Sequence, residues 1–226
     1  MKGKRKFSLK EIYLMAYNFL LFCIWAITFI VSVFSFNQDS SYRNGWKIPF
    51  LWSQIAHGVM WMDVVHAIFK VTKSNWFINA VQIMSRTMVS FVVWGIAKSN
   101  CVGWWTPMMF FSWSITEIIR YGYHVLNMAS EELPKWIVSL RYSSFYILYL
   151  TGFAGESITN CMTIMRIPLS SEIGIKLPNM LNVAISIPFI IRVYTLTSAI
   201  YFPDMYKHMI VQRKKHLSTN PILPSL

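Results

Sequence analysis

Six apolar stretches, each long enough to cross a lipid bilayer as a helix, dominate this sequence of 226 residues. A helix needs about 20 apolar residues to span the hydrocarbon core. The stretches cover residues 12–35, 49–70, 76–97, 104–126, 142–164 and 178–202. The segments between them carry the Asn, Ser, Pro and charged residues typical of loops. The sequence therefore predicts an all-α membrane protein, a bundle of six transmembrane helices with a kink at Pro188 in the sixth.

The positive charge of the chain indicates how this bundle is oriented. The net charge of +12 could suggest a nucleic-acid partner. Much of this charge lies near the two ends, however, and no module of basic and aromatic residues typical of nucleic-acid binding lies between them. Thirteen Lys and Arg residues lie in the termini and the second and fourth loops, against five in the other loops. By the positive-inside rule both termini are predicted to be cytosolic. We expect a basic cytosolic N-terminus at 1–11, a six-span domain at 12–205 and a basic cytosolic tail at 206–226.

Glu156 is the one charged residue between Tyr142 and Met165. Placing an ionised carboxylate in hydrocarbon costs several kcal/mol, so an acidic residue there indicates a functional role. Tyr149 precedes it by seven residues, which is two helical turns, so the two side chains are predicted to share a face about 10 Å apart. A phenol and a carboxyl group on one wall of a membrane cavity fit acid–base chemistry.

Other polar residues are predicted to lie on a path from the cytosol toward Glu156. From the predicted orientation and the helical rise, His66, Asp63, Arg120 and Glu117 lie about 6–10 Å below the cytosolic surface. A second group comprises Arg86, near the midplane, Arg192 and two further histidines, His57 and His124. The order of depths predicts a cavity that opens to the cytosol.

Structural interpretations of the same residues remain open. Asp63 with His66, and Glu117 with Arg120, are spaced i,i+3 and fit locks between helices. Three roles are open for Arg86 and Arg192. They are ion pairs with Glu156 and Glu117, snorkelling of the side chains toward the membrane surface, and contacts with substrate. Buried Glu–Arg pairs also hold bundles together, so a structural role for Glu156 is a further alternative.

Several segments together resemble one family, the membrane 3-hydroxyacyl-CoA dehydratases of very-long-chain fatty-acid elongation, also called protein tyrosine phosphatase-like proteins. The resemblance covers roughly residues 12 to 205. It rests on four segments in the same order as in the family: Tyr13 to Asn18, Gln82 to Arg86, Trp113 to Tyr121, and Leu140 to Glu156 with Tyr149, Gly152 and Gly155.

The resemblance implies a six-helix bundle in the endoplasmic reticulum membrane, with an active site reached from the cytosol. It implies Tyr149 and Glu156 as the catalytic pair. Residues expected to bind substrate or support the pair are Arg86, Glu117, Arg120, Tyr121, Arg141 and Gly152. Two positions depart from the family pattern: Leu150 stands where Pro usually follows the catalytic Tyr, and Asp63 stands where Glu is common.

The implied reaction removes water from a 3-hydroxyacyl-CoA to give the trans-2-enoyl-CoA. It needs a base, an acid and stabilisation of enolate-like charge on the thioester oxygen. The pair supplies the first two, with Glu156 as the base or as a shuttle toward the hydroxyl. No metal or other cofactor is expected. The expected partners are the acyl-CoA substrate, membrane lipid, and the condensing enzyme and two reductases of the elongation cycle.

Other functions remain as alternatives. A non-catalytic membrane scaffold or acyl-CoA binder fits the same composition, and a transporter is a weaker option because the chain shows no internal repeat. A tyrosine phosphatase is excluded, because it needs a Cys followed six residues later by Arg, whereas Pro107 follows Cys101 at that distance and Arg166 follows Cys161 by five. The three cysteines also fit neither a disulfide framework nor a zinc site.

Overall fold

Helices form almost all of the chain described by the computed structural model, which covers residues 7–38, 45–97, 102–130, 133–169, 171, 173–175 and 185–218. The eight α-helices and two short strands are α1 (Leu9–Gln38), α2 (Lys47–Ile68), α3 (Trp76–Thr87), α4 (Trp94–Ala97), α5 (Trp105–Ala129), α6 (Lys135–Ser143), α7 (Phe145–Arg166), β1 (Gly174–Ile175), β2 (Ile185–Ser186) and α8 (Ile187–Ser218). A π-helical segment, Met88–Val93, joins α3 to α4 without a break. The predicted all-α class is confirmed.

The first five predicted stretches coincide with helices to within a few residues, because their apolar length sets the helix length. The sixth is displaced: α8 begins at Ile187 and continues to Ser218, and residues 178–184 lie outside the described chain. The predicted kink at Pro188 is wrong. Pro188 lies in the first turn of α8, where its missing N–H has no helical partner to lose, and Pro203 is the proline inside that helix.

Two helical stretches of the described chain are long and apolar enough to cross a membrane, Leu9–Asn37 and Trp76–Ile96. The apolar character expected of a membrane protein is therefore present. The finer prediction of six spans with both termini cytosolic stays a prediction.

Helix α5 lies at the centre of the fold, packed on α1 along one side and on α7 along the other. Large aromatic side chains fill the space around it. Phe50 of α2 stacks on Trp94 at 4.0 Å between ring centroids and meets Phe110 of α5 edge-on at 4.9 Å. Trp25, Trp46 and Trp113 are also buried there. This aromatic packing holds α2 against both α4 and α5.

The π-helical segment follows directly after the polar residues of α3. A π turn interrupts the regular ladder of backbone hydrogen bonds, and such turns are frequent at functional sites. The carbonyl of Ser90 in this segment accepts a hydrogen bond from Gln54 Nε2 at 2.8 Å, and its hydroxyl group lies 3.2 Å from His57 Nδ1. Side chains of α2 therefore supply hydrogen-bond partners for the polar groups of Ser90 within the π turn.

Helices α5 and α7 approach closely because α7 has glycine where they meet. A Cβ atom at position 155 would lie 2.7 Å from the Cβ of Met109 and 3.1 Å from its Cα. At Gly152, one turn earlier, the nearest atom to such a Cβ is the Cβ of Ser112 at 3.4 Å, an ordinary contact. The approach at Gly155 brings the face of α7 that carries Glu156 against α5.

Gly155→Ala is expected to destabilise the protein by about 1–3 kcal/mol, because the added methyl group must push α5 and α7 apart. The free energy of unfolding in mixed detergent micelles measures this effect. Gly152→Ala is the matched control, since its methyl group meets no short contact and its stability should be unchanged or slightly higher. Equal stability of the two variants would contradict the close approach of the helices.

Candidate functional site

The carboxyl group of Glu156 is buried, with 7% of the residue exposed. Each of its oxygens accepts one hydrogen bond. Trp113 Nε1 of α5 donates to Oε1 at 2.7 Å, and Ser85 Oγ of α3 donates to Oε2 at 2.6 Å. The contacts expected of a buried polar group are therefore supplied by two neutral donors from two other helices.

A second layer extends this contact to α8. The hydroxyl group of Tyr194 donates to Ser85 Oγ at 2.9 Å, so a directional chain runs from Tyr194 through Ser85 to Glu156. Three helices, α3, α5 and α8, thus converge on a carboxyl group carried by a fourth, α7.

Tyr149 lies two turns before Glu156 on α7 and lines the same cavity, as the seven-residue spacing predicts. Its ring stacks on Phe202 of α8, with centroids 5.3 Å apart and an angle of 8° between the planes. Phe202 in turn stacks on Phe153 at 3.9 Å. Leu150, at the position where the family resemblance implies a proline, is 53% exposed, and α7 continues through it as a regular helix.

The cavity that contains the pair has a volume of about 700 Å³ and lies between α3, α7 and α8, with Trp113 of α5 at one side. Its walls are mainly apolar and aromatic. The polar side chains in its lining include Ser85, Arg86, Tyr149, Glu156 and Tyr194. Gly152 lines it between Tyr149 and Glu156, where the absence of a side chain leaves room beside the pair.

A second cavity, of about 560 Å³, lies on the other side of α3 and is lined by charged residues. The basic residues in its lining are Lys73, Arg86, Arg120 and Arg141, with His66 and His124. Gln82, Arg86 and Tyr149 line both cavities. The charged and apolar cavities therefore meet at these three side chains, beside Glu156.

The charged residues between the helices form one continuous chain. Glu117 pairs with Arg86 of α3 through one oxygen and with Arg120 Nε through the other, at 2.6 Å. Arg120 Nη2 also contacts Asp63 Oδ2 of α2 at 3.1 Å. The hydroxyl group of Tyr121 accepts from Arg120 and donates to Asp63 at 2.8 Å. Tyr17 of α1 donates to the other oxygen of Asp63 at 2.9 Å, so four helices share this network.

Some of the predicted pairs are formed and others are replaced. Glu117 and Arg120 pair as the i,i+3 spacing predicts. Asp63 and His66 do not bond to each other: Asp63 binds Arg120, and His66 Nε2 is hydrogen-bonded to the hydroxyl group of Tyr13 at 2.8 Å.

Arg86 and Arg192, which both lie in predicted spans, have different partners. Arg86 pairs with Glu117. Arg192 donates instead to backbone carbonyls at the end of α7, those of Ile164 and Ile167 at 3.3 and 2.9 Å, so it closes a helix terminus.

Arg141 lies in α6, at the edge of the charged cavity. Burial lowers the pKa of Arg141 from its ordinary value, and the nearby charge of Arg120 lowers it further. An arginine keeps its charge in proteins, so this guanidinium gains from an anion placed beside it. The charged cavity is therefore suited to a negatively charged ligand group.

Three residues at the carboxyl group had no role in the sequence-based prediction: Ser85, Trp113 and Tyr194. Ser85 and Trp113 belong to segments that carry the family resemblance, but nothing in those segments pairs them with Glu156. Tyr194 had no distinguishing signal, because a tyrosine among apolar residues is common in membrane helices. Their grouping depends on helix packing.

Comparison with known proteins identifies the family. The family described as "Protein tyrosine phosphatase-like protein, PTPLA" matches residues 57–219. The very-long-chain (3R)-3-hydroxyacyl-CoA dehydratase PASTICCINO 2 of Arabidopsis thaliana is 31% identical, over 92% of this chain and 94% of the relative. The very-long-chain (3R)-3-hydroxyacyl-CoA dehydratase hpo-8 of Caenorhabditis elegans is 27% identical, over 92% of this chain and 95% of the relative. The very-long-chain (3R)-3-hydroxyacyl-CoA dehydratase 1 of Mus musculus is also 27% identical, over 96% of this chain and 76% of the relative. No solved structure matches. The chain therefore belongs to the family of protein tyrosine phosphatase-like proteins.

Proposed function

We propose that this protein removes water from very-long-chain (3R)-3-hydroxyacyl-CoA to give trans-2-enoyl-CoA, one step of fatty-acid elongation. The observation that carries the proposal is the position of Tyr149 and Glu156 on one face of α7, beside the junction of a charged cavity and an apolar cavity. An acyl-CoA has the matching construction, with an anionic head, a thioester and an apolar chain. The similar proteins are named as dehydratases of this substrate, which supports the same reaction.

Glu156 acts as the base in this proposal and Tyr149 as the acid. Trp113 offers only an N–H, and the hydroxyl group of Ser85 is directed at the second oxygen, so the geometry suits a carboxylate that accepts at both oxygens. The carboxylate takes the proton from C2 of the substrate. The C2 electron pair forms the C2–C3 double bond as the C3–O bond breaks, and the Tyr149 hydroxyl protonates the departing oxygen to give water. Transfer of the proton from Glu156 back to the Tyr149 oxygen restores both residues.

Enolate-like charge on the thioester oxygen needs hydrogen-bond donors at the cavity junction. Gln82 and Arg86 line both cavities there, and each carries N–H groups suited to an oxyanion. The pairing of Arg86 with Glu117 holds the guanidinium in place. These two residues are therefore proposed to bind the thioester oxygen.

The different linings of the two cavities support a proposal for where the two ends of the substrate bind. The phosphates of CoA are proposed to bind among Lys73, Arg120 and Arg141 in the charged cavity. The acyl chain is proposed to occupy the apolar cavity bounded by α3 and α8. Glu117 and Tyr121 have a supporting role, because they hold Arg86 and Arg120.

The protein is proposed to span the endoplasmic reticulum membrane six times, with both termini and the mouth of the charged cavity on the cytosolic side. Lys73 in the loop between α2 and α3, and Arg141 in α6, both line this cavity and both belong to loops predicted to be cytosolic. The condensing enzyme and the two reductases of the cycle are proposed partners, since they supply the substrate and consume the product.

Glu156→Gln and Tyr149→Phe are each expected to lower the rate of dehydration by about 100-fold or more, because each removes the acid–base group and keeps the side-chain shape. Purified protein in detergent with 3-hydroxypalmitoyl-CoA, followed by the ultraviolet absorbance of enoyl-CoA, measures this rate. An unchanged unfolding temperature shows that the variants are folded. Normal turnover in either variant contradicts the assignment. Wild-type protein that binds acyl-CoA without turnover would favour the scaffold or acyl-CoA binder instead.

Arg141→Ala is expected to raise the KM for the acyl-CoA about tenfold with little change in kcat, because it removes a cation that binds the CoA head and takes no part in bond breaking. Lys135→Ala is the matched control, a cation exposed on the same helix α6 and absent from the lining of the charged cavity. The difference between the variants should shrink at high salt, where charges are screened. Equal KM values at low salt would contradict this site for CoA.

Epitope tags at the two termini test the proposed orientation. In sealed endoplasmic reticulum vesicles, added protease should remove both tags, because both are expected on the outer, cytosolic face. Detergent-opened vesicles serve as the control for tag cleavage. Protection of either tag in sealed vesicles would contradict an even number of spans with cytosolic termini.

A further inference from the structure

The carboxyl group of Glu156 is held at both oxygens by donors from different helices. The last torsion of a glutamate side chain is broad, so a carboxyl group bound at one oxygen can still turn. Trp113 Nε1 at 2.7 Å from Oε1 and Ser85 Oγ at 2.6 Å from Oε2 together fix the plane of the group. The orientation of the proposed base is therefore set by α3 and α5, outside its own helix.

The direction of the Ser85 hydrogen bond is unusual among the described hydroxyl groups of this chain. Serine and threonine in helices commonly donate to the carbonyl four residues earlier in their own helix. Thr87, one residue after Arg86 on α3, does so to Ile83 at 2.8 Å, and Thr159 of α7 does so to Gly155 at 2.8 Å. Ser85 instead donates across the cavity to Glu156.

Tyr194 explains this direction. Its hydroxyl group donates to Ser85 Oγ at 2.9 Å, so the serine oxygen is engaged as an acceptor and its proton is directed toward the carboxylate. A serine hydroxyl has one proton to donate, and a carboxylate is a stronger acceptor than a backbone carbonyl. The chain from Tyr194 through Ser85 to Glu156 therefore has one preferred polarity.

We propose that Ser85 is a positioning residue for the base Glu156, and that Tyr194 orients the hydroxyl group of Ser85. This inference rests on the proposed dehydratase function. Ser85 directs the free lone pairs of the carboxylate toward C2 of the substrate, and Tyr194 acts through Ser85. Trp113 performs the same task at the other oxygen, but it is buried in the aromatic core, so Ser85 and Tyr194 are the informative residues to change.

The test measures kcat and KM for 3-hydroxypalmitoyl-CoA in Ser85→Ala, Ser85→Thr, Tyr194→Phe and the double variant S85A/Y194F. Ser85→Ala should lower kcat about 10- to 100-fold, the effect expected for losing a hydrogen bond to a charged group, with KM within about twofold. Ser85→Thr keeps the hydroxyl group and should restore most of the rate. Tyr194→Phe should lower kcat less than Ser85→Ala, and the double variant should equal Ser85→Ala because the residues act in series.

Thr87→Val is the matched control. Thr87 lies on the same helix as Ser85 and is absent from the lining of both cavities, and its hydroxyl group donates to the carbonyl of Ile83 in its own helix at 2.8 Å. Its loss should leave kcat and KM unchanged. A second readout is the infrared carboxylate band of Glu156, identified by its loss in Glu156→Gln. This band should shift in Ser85→Ala and Tyr194→Phe, and not in Thr87→Val.

Two results overturn the inference while the proposed function stands. One is an active wild-type protein whose Ser85→Ala variant has the same kcat and the same infrared band. The other is a double variant whose fold loss of kcat equals the product of the losses in Ser85→Ala and Tyr194→Phe. An inactive wild-type protein overturns the proposed function itself, and with it the inference that depends on it.

Discussion

Glu117 forms ion pairs with two arginines, and the packing of the surrounding helices depends on these pairs. It binds Arg86 of α3 through one oxygen and Arg120 of its own helix through the other, and Arg120 continues to Asp63 of α2. In a surrounding of low dielectric, removal of one member leaves an uncompensated buried charge and costs about 3–5 kcal/mol. The network therefore fixes the register of α2, α3 and α5. Because Ser85 is the neighbour of Arg86, the same interaction places a hydroxyl group within reach of Glu156.

The network also lies at the boundary between the charged cavity and the apolar cavity. Its charged side chains line one cavity, and the apolar faces of α3, α7 and α8 line the other. Arg86 belongs to both, as do Gln82 and Tyr149. A ligand with an anionic head and an apolar chain fits these two cavities, because basic residues stabilise the head and the apolar cavity stabilises the chain. The proposed chemistry takes place where they meet.

Backbone features bring the helices into this arrangement. Gly155 lets α7 approach α5 closely, which places Glu156 within 2.7 Å of the indole nitrogen of Trp113. The π-helical segment begins two residues after Arg86, and Gln54 of α2 donates to one of its carbonyls, that of Ser90. On the other side of the cavity, Phe202 of α8 stacks on Tyr149 and limits the motion of its ring.

Local patterns in the sequence determined the helical elements and the candidate pair. Apolar length predicted five of the six helical stretches to within a few residues, and the seven-residue spacing placed Tyr149 and Glu156 on one face. The spacing of Glu117 and Arg120 likewise predicted their ion pair. Only the tertiary structure decided which distant groups meet: Asp63 binds Arg120 instead of His66, and Trp113, Ser85 and Tyr194 gather around Glu156 through contacts between residues 43, 71 and 109 positions apart. Helical periodicity describes one element at a time, whereas these contacts depend on how separate helices pack.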